Sequence, residues 1–185
     1  GTTMDRRNKI LVWGAGILAT LIILISVTVT VGNGQIKRQQ EVQTARANIS
    51  KEEERRIDLF NNLADAVQSY NKYEDKTMNK IVKARAKAND GKINAASKEL
   101  NVVVERYPNL KSQSNYKQAM MEFSITENRL ANYRENYNDS VQNYNYYVQR
   151  FPDKQILEVT GHNTKTYPRL NYNVDNAKAT NLFDK

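Results

Sequence analysis

Five charged residues fall on or beside the apolar faces that the helical period predicts: Arg56, Glu74 and Arg85 near the centre of one, Glu127 and Arg134 on the shoulder of another. A carboxylate pair such as Glu74 and Glu127 is the kind of group that general acid–base chemistry and di-metal helical bundles use. The remaining parts of either chemistry are absent from the sequence. A carboxylate di-metal bundle takes Glu-x-x-His from facing helices, and the single histidine, His162, lies beyond the helical stretches. A Ser-His-Asp arrangement would depend on that same histidine. With no cysteine there is no disulfide, thiolate nucleophile, iron–sulfur cluster, cysteine-bound zinc or cysteine-linked lipid anchor. No catalytic residue, no metal and no cofactor is expected, and the chain reads as a non-enzyme.

What remains for those five charges is pairing or solvation, because an isolated buried charge costs several kcal/mol. Either they form an ion-pair network that sets helix register, or they line a polar binding site, and structural networks are the commoner case. The tyrosines pose the same choice. Tyr133, Tyr137 and Tyr144 share an apolar stripe and read as core residues with a hydroxyl at the edge. Tyr146 points about the opposite way and is expected exposed, a candidate contact, and Tyr147 lies beside it.

The elements that must position these groups begin with Ile10–Val31, an uncharged run of twenty-two residues. As a helix at about 1.5 Å per residue it spans a hydrocarbon core of roughly 30 Å. Trp13 sits near one end, where an amphipathic ring suits the headgroup level. The rival is a cleaved signal peptide with Arg6, Arg7 and Lys9 as its basic region, but the run is long for one and no small-x-small site follows. A retained transmembrane helix over 10–31 is therefore expected, after a short basic segment over 1–9 in which Met4 could be the natural start. Its basic flank favours a cytoplasmic N-terminus and a domain on the other side, although Lys37 and Arg38 follow on the far flank. The lipid bilayer is thus the first expected partner.

Gly32-Asn33-Gly34 predicts a hinge over 32–34. From Gln35 to Asn89 there is neither Gly nor Pro, and Ile49, Phe60, Leu63, Val67, Tyr70, Met78, Ile81 and Val82 form one stripe. Asn89-Asp90-Gly91 is a stop signal. A shorter stripe follows in Ile93, Ala96, Leu100, Val103, Val104 and Tyr107, ended by Pro108. Ser114 to Phe151 carries Ala119, Phe123, Leu130, Tyr133, Tyr137, Val141, Tyr144, Val148 and Phe151 on one face. After Pro152 there is room for a short helix with Ile156, Leu157 and Val159. No strand alternation of useful length occurs. The expected fold is all-α: a transmembrane helix, then an antiparallel bundle of long helices over 35–160 and a polar, extended or mobile tail over 161–185.

The net charge of +8 does not mark a nucleic-acid surface. Basic and acidic residues alternate, as in Lys51–Arg56 (KEEERR), and 114–152 holds as many acids as bases, the pattern of solvated helix faces. No nucleic-acid partner is expected.

Three ordered segments resemble the LemA family of bacterial membrane-anchored helical proteins. RRIDLFNNLADAVQSYNKYEDKTMNKIVKARAKA, Arg55–Ala88, follows that family's paired Arg, Asp-Leu, Asn-Leu, a Val and Tyr at helical spacing, a Glu and a Val-x-x-Ala-Arg close. YPNLKSQSNY at Tyr107–Tyr116 and ENRLANYRENYNDSVQNYNYYVQRFP at Glu127–Pro152, with its repeated Tyr-Asn pairs, are the others. Asn61 stands where the family usually has a proline, an aromatic near Ala47 is missing, and Gly161-His162 replaces a Gly-aromatic pair, so the resemblance is to a divergent member. It implies a bundle of long antiparallel helices on a membrane anchor, and no defined biochemical activity. The recurring polar positions it implies here are Arg56, Asp58, Asn62, Glu74, Arg85, Glu127, Arg134, Asn138 and Asn145, a set that is structural or ligand-binding. The expected function is a single-pass protein-interaction or scaffold module at the cell envelope, binding an unidentified protein or itself, with Ile36–Ile49 a candidate exposed patch. The alternative is a module that binds an envelope-associated ligand through the polar network and tyrosines.

Overall fold

The computed structural model describes residues 2–70 and 73–170, with side chains from Asp5 onward. Its elements are all helical: α1 Thr2–Gln68, α2 Asp75–Asn89, α3 Ile93–Arg106, α4 Pro108–Lys111, α5 Ser114–Gln149 and α6 Asp153–Val159. No strand occurs among the described residues. Residues 171–185 of the expected tail lie outside the described residues.

The helix ends follow local chemistry. Gly91 at φ 86° and Gly161 at φ 79° sit just past α2 and α6 in the left-handed conformation that glycine adopts without a Cβ penalty. At α2, Gly91 N–H donates to Ala88 O (2.9 Å) and Lys92 N–H to Lys87 O (2.9 Å). At α6, Gly161 N–H donates to Glu158 O (3.2 Å) and His162 N–H to Leu157 O (2.8 Å). Both are Schellman closures, which satisfy carbonyls that the helix end leaves without a partner. Pro108 opens α4, where its missing N–H costs no hydrogen bond.

The expected hinge at 32–34 is absent: α1 runs unbroken through Gly32-Asn33-Gly34. Gly34 is small for packing reasons, since a Cβ there would collide with the Tyr147 hydroxyl and come within 2.7 Å of Tyr147 Cζ. Conversely, the stretch expected to be continuous to Asn89 stops at Gln68. There Ser69 N–H closes on Asp65 O (2.9 Å), and the Tyr73 hydroxyl donates to Val67 O (2.7 Å). The interruption resets the helical phase. The buried face of α2 is Thr77, Ile81, Ala84 and Ala88, so Val82, expected on the stripe, is exposed. Phe151, expected on the α5 stripe, lies past the helix end at Gln149 and is 82% exposed.

The chain divides into two compact units, each using part of α1 and part of α5. One comprises, among the described residues, 43–139 with 169–170. Its core joins Phe60, Leu63 and Val67 of α1, Ile81 and Ala84 of α2, Leu100 and Val103 of α3, Leu110 of α4 and Phe123 of α5. Phe60 meets Phe123 edge to face at 5.7 Å, the geometry that the ring quadrupoles favour. The α3 residues Ile93, Ala96, Leu100, Val103 and Val104 are all buried, as their period predicts. Tyr70, Tyr73 and Tyr107 form an aromatic cluster with ring centroids 4.8–5.8 Å apart.

The other unit comprises residues 1–42 and 140–168. It holds the run 10–31, whose large apolar side chains are exposed, among them Trp13, Ile17, Leu21 and Leu24. This helix is, among the described residues, the one long and apolar enough to cross a membrane. Beyond it, Val31 and Gln35 of α1, Tyr144, Tyr147 and Val148 of α5, and Leu157 of α6 are buried. The first apolar positions of Ile36–Ile49 behave unequally. Ile36 is half exposed, while Val42, Ala45 and Ile49 are buried, so the segment is not the free apolar patch its sequence suggested.

Candidate functional site

Of the residues expected to form a polar network, the 43–139 unit uses Arg56, Arg85 and Arg134 as partners within the fold. Arg56 is buried, donates from Nη2 to Asn94 Oδ1 (3.4 Å) and lies 5.4 Å from the Phe123 ring centroid. Arg85 pairs with Asp65, a carboxylate one helix away that is largely exposed. Arg134 lies 3.8 Å from Glu53, both side chains only 12% exposed. Arg129 reaches the buried Glu52 at 4.0 Å. Asp58, Asn62, Glu74 and Glu127 are exposed. Glu74 was expected on the apolar stripe, but it falls at the N-cap of α2, outside the helix it was assigned to. Glu127, expected on a shoulder, faces solvent because Thr126 and Leu130 are the buried positions of that turn. The two carboxylates considered for acid–base work therefore stand in water without a sealed pocket. No group of three or more His, Asp or Glu side chains able to hold a metal occurs among the described residues.

Asn138 and Asn145 have a specific task. Each amide side chain pairs with both backbone groups of one residue in the extended segment that follows α6. Asn145 donates from Nδ2 to Tyr167 O (3.0 Å) and accepts the Tyr167 N–H at Oδ1 (2.9 Å). In the 43–139 unit, Asn138 donates to Leu170 O (3.2 Å) and accepts the Leu170 N–H (2.8 Å). A side-chain amide carries one donor face and one acceptor face at the separation of a peptide group, so it imitates a neighbouring β-strand. The Tyr167 ring adds an edge contact with Tyr144, centroids 5.0 Å apart.

In the other unit, the far flank of the apolar run builds a polar cleft of about 310 Å³ from Lys37, Arg38 and Glu41 of α1 with Tyr146, Tyr147 and Arg150 at the end of α5. The buried Tyr147 ring organises it. Its hydroxyl donates to Val31 O (2.8 Å), and two guanidinium groups lie close to its ring, Arg38 at 4.1 Å and Arg150 at 4.7 Å from the centroid. Cations over an aromatic face are attracted by its quadrupole, which here stacks two like charges on one ring. Burial holds the Tyr147 phenol above its usual pKa, with the Asp153 carboxylate adding to it, and the two arginines oppose the shift. Arg150 is tied to Asp153, whereas the hydrogen bond of Arg38 goes to a neutral carbonyl, Gly34 O (3.1 Å). Tyr146 is 66% exposed at the rim, where its helical position placed it. His162 lies next to this region. Its Nδ1 meets Thr160 Oγ1 at 2.8 Å, and its ring abuts Gly32.

Sequence reasoning named Lys37 and Arg38 only as a charged flank, and it did not single out Arg150, Glu52, Glu53, Asp65 or Asn94. The partners of Glu52, Glu53, Asp65 and Asn94 lie 20 or more residues away, beyond what helical spacing reports. The Tyr146-Tyr147-x-x-Arg150 spacing was the available signal, since i, i+3 and i+4 positions share a helix face.

An all-α chain whose N-terminal helix can cross a membrane is the class that these elements define. The sequence model of the LemA family matches residues 45–181, most of the chain, and the protein belongs to that family. A Protein LemA of Metamycoplasma hominis is 27% identical over 131 residues, 64% of this chain and 60% of that protein. The magnetosome proteins MamQ 2 of Paramagnetospirillum magneticum and MamQ of Magnetospirillum gryphiswaldense are each 33% identical, over 78 and 72 residues. The chain thus spans about 60% of the LemA relative and under a third of the magnetosome proteins (29% and 26%). None of these relatives carries an enzymatic name.

Proposed function

We propose that this LemA-family protein is a single-pass, membrane-anchored helical module that acts by binding another protein or a second copy of itself, without catalysis. Residues 10–31 cross the bilayer, the N-terminus is cytoplasmic and the remaining helices lie on the other side, at the cell envelope. The observation that supports the binding role is the use of α5: Asn145 takes hold of both backbone groups of Tyr167 in an extended segment, the kind of main-chain pairing by which a protein surface holds a peptide. The exposure of Glu74 and Glu127 supports the non-catalytic reading, because neither carboxylate has the desolvated setting that tunes a catalytic acid or base.

Crosslinking of the full chain in membranes, paired with its sedimentation state in detergent, tests the reading. Capture of a defined partner or of a dimer supports it, and a monomer that captures nothing removes its basis. Protease accessibility in intact cells decides the orientation. A second reading, a module for an envelope-associated ligand, is favoured by the cleft around Tyr147.

A further inference from the structure

The cleft around Tyr147 stands at a definite height relative to the apolar run. Here α5 runs antiparallel to α1: Tyr144 meets Gln35, while the Tyr147 hydroxyl reaches back to Val31, the last residue of the run. Continuing along α5 therefore leads toward the run. Arg150 and Phe151 fall about one turn, roughly 5 Å, further in that direction. The chain returns at the same level, since His162 abuts Gly32 and Gln35 donates to Asn163 O. The corner from Arg150 to Gly161 is thus placed at the end of the apolar run. It displays Phe151, 82% exposed, and Val159, 87% exposed. Two bare apolar side chains at that level match the boundary between headgroups and acyl chains.

The cations of the cleft stand just beyond. Lys37 and Arg38 lie six and seven residues past Val31, about 9–10 Å along the helix. The headgroup layer adds roughly 5–7 Å beyond the hydrocarbon core on each side, and long basic side chains reach down along the helix to meet it. No carboxylate of the described residues is within ion-pair distance of Lys37 or Arg38. The charges facing the cleft are Lys37, Arg38 and Arg150 against Glu41 and the Asp153 that holds Arg150, a net positive site.

We propose that the cleft formed by Lys37, Arg38, Arg150 and Tyr146 is a binding site for the phosphate of an anionic phospholipid, with Phe151 and Val159 seated in the adjoining bilayer interface. The guanidinium of Arg38, aligned by the Tyr147 ring and the Gly34 carbonyl, supplies a planar donor fork to the phosphate oxygens. Lys37 adds a point charge, and the exposed Tyr146 hydroxyl covers the polar part of the headgroup. This rests on the reading of 10–31 as a membrane span.

The test is made on the full chain reconstituted in vesicles of phosphatidylcholine mixed with phosphatidylglycerol. Native mass spectrometry measures which lipid stays bound on extraction, and Trp13, the single tryptophan, reports insertion through quenching by brominated phosphatidylcholine. The expected result is retained phosphatidylglycerol, with retention falling about fivefold for each cation removed in Lys37→Gln and Lys37→Gln/Arg38→Gln. Lys98→Gln, an exposed cation on α3, should leave it unchanged. Equal retention of both lipids, or retention unaffected by Lys37→Gln and the double variant while Trp13 stays quenched, overturns the site. Displacement of phosphatidylglycerol by inorganic phosphate at comparable concentration overturns the lipid as its source. An unquenched Trp13 in the unaltered chain instead overturns the membrane span itself.

Discussion

The hydroxyl of Tyr147 donates to the carbonyl of Val31, 2.8 Å away and 116 residues earlier in the chain. That bond fixes where the end of α5 meets α1, and the glycine at position 34 is what allows it. The Tyr147 ring occupies the space that any larger residue at 34 would need.

Gly34→Ala should therefore destabilise the protein, although alanine favours helix over glycine by about 1 kcal/mol. The overpacking of a close ring contact costs about 1–3 kcal/mol. A lower melting temperature by circular dichroism of the full chain in detergent is expected. Gly14→Ala, where a Cβ meets nothing within 4 Å, should not lower it.

Asn145→Ala removes both bonds that hold Tyr167. At about 1 kcal/mol per neutral hydrogen bond, exchange of the Tyr167 amide should quicken about tenfold or more, read by hydrogen-exchange mass spectrometry. Asn145→Asp keeps the acceptor but turns a carboxylate oxygen toward the Tyr167 carbonyl, so it should protect the segment no better than alanine.

Charge removal should have unequal effects. Asp65→Ala breaks a pair whose carboxylate is 64% exposed, and should cost under about 1 kcal/mol. Arg134→Ala withdraws a cation from Glu53, where both side chains are 12% exposed, and should cost more than Asp65→Ala. Urea unfolding of the two variants compares them, and equal losses would contradict the assignment.

Tyr73 ionises late. Burial first, then the neighbouring Tyr107 and Tyr70, push its phenol up to about 12. The folded state therefore favours the protonated form more than the unfolded chain does. That stability is fully present below the ordinary tyrosine value of about 10 and is lost as pH rises from there through about 12. Phenolate absorbance should show a late-titrating tyrosine, and Tyr73→Phe should remove it. The same variant loses the hydrogen bond to Val67 O.

Much of the fold is written locally. The run 10–31, the α3 stripe and the stop at Gly91 are legible because each depends on neighbours within a turn or two, and the helical class follows from them. The break after Gln68 was not legible. Residues 69–74 contain no Gly or Pro, and the turn is secured by Tyr73 reaching Val67 and by rings brought from Tyr107. With the phase reset there, Val82 and Glu74 moved off the face that an uninterrupted helix would have given them. The candidate site divides in the same way. Tyr146 could be placed at the surface by period alone, but nothing local joins Lys37 and Arg38 to Arg150.

By itself the sequence determined that this is a helical protein without cysteine or multi-histidine chemistry, with one run fit for a bilayer and charges close to its apolar stripes. Tertiary structure decided what those polar and small residues are for. Gly34 has two opposite possible uses, bending a helix or letting another element approach it, and only the ring of Tyr147 shows that the second applies. Asn138 and Asn145 are ordinary polar positions until an extended backbone lies against them. A basic flank becomes a cleft when a second helix brings Tyr147 and Arg150 to it. In each case the deciding contact joins residues far apart in the chain, so the physical reason is packing, which helical spacing does not encode.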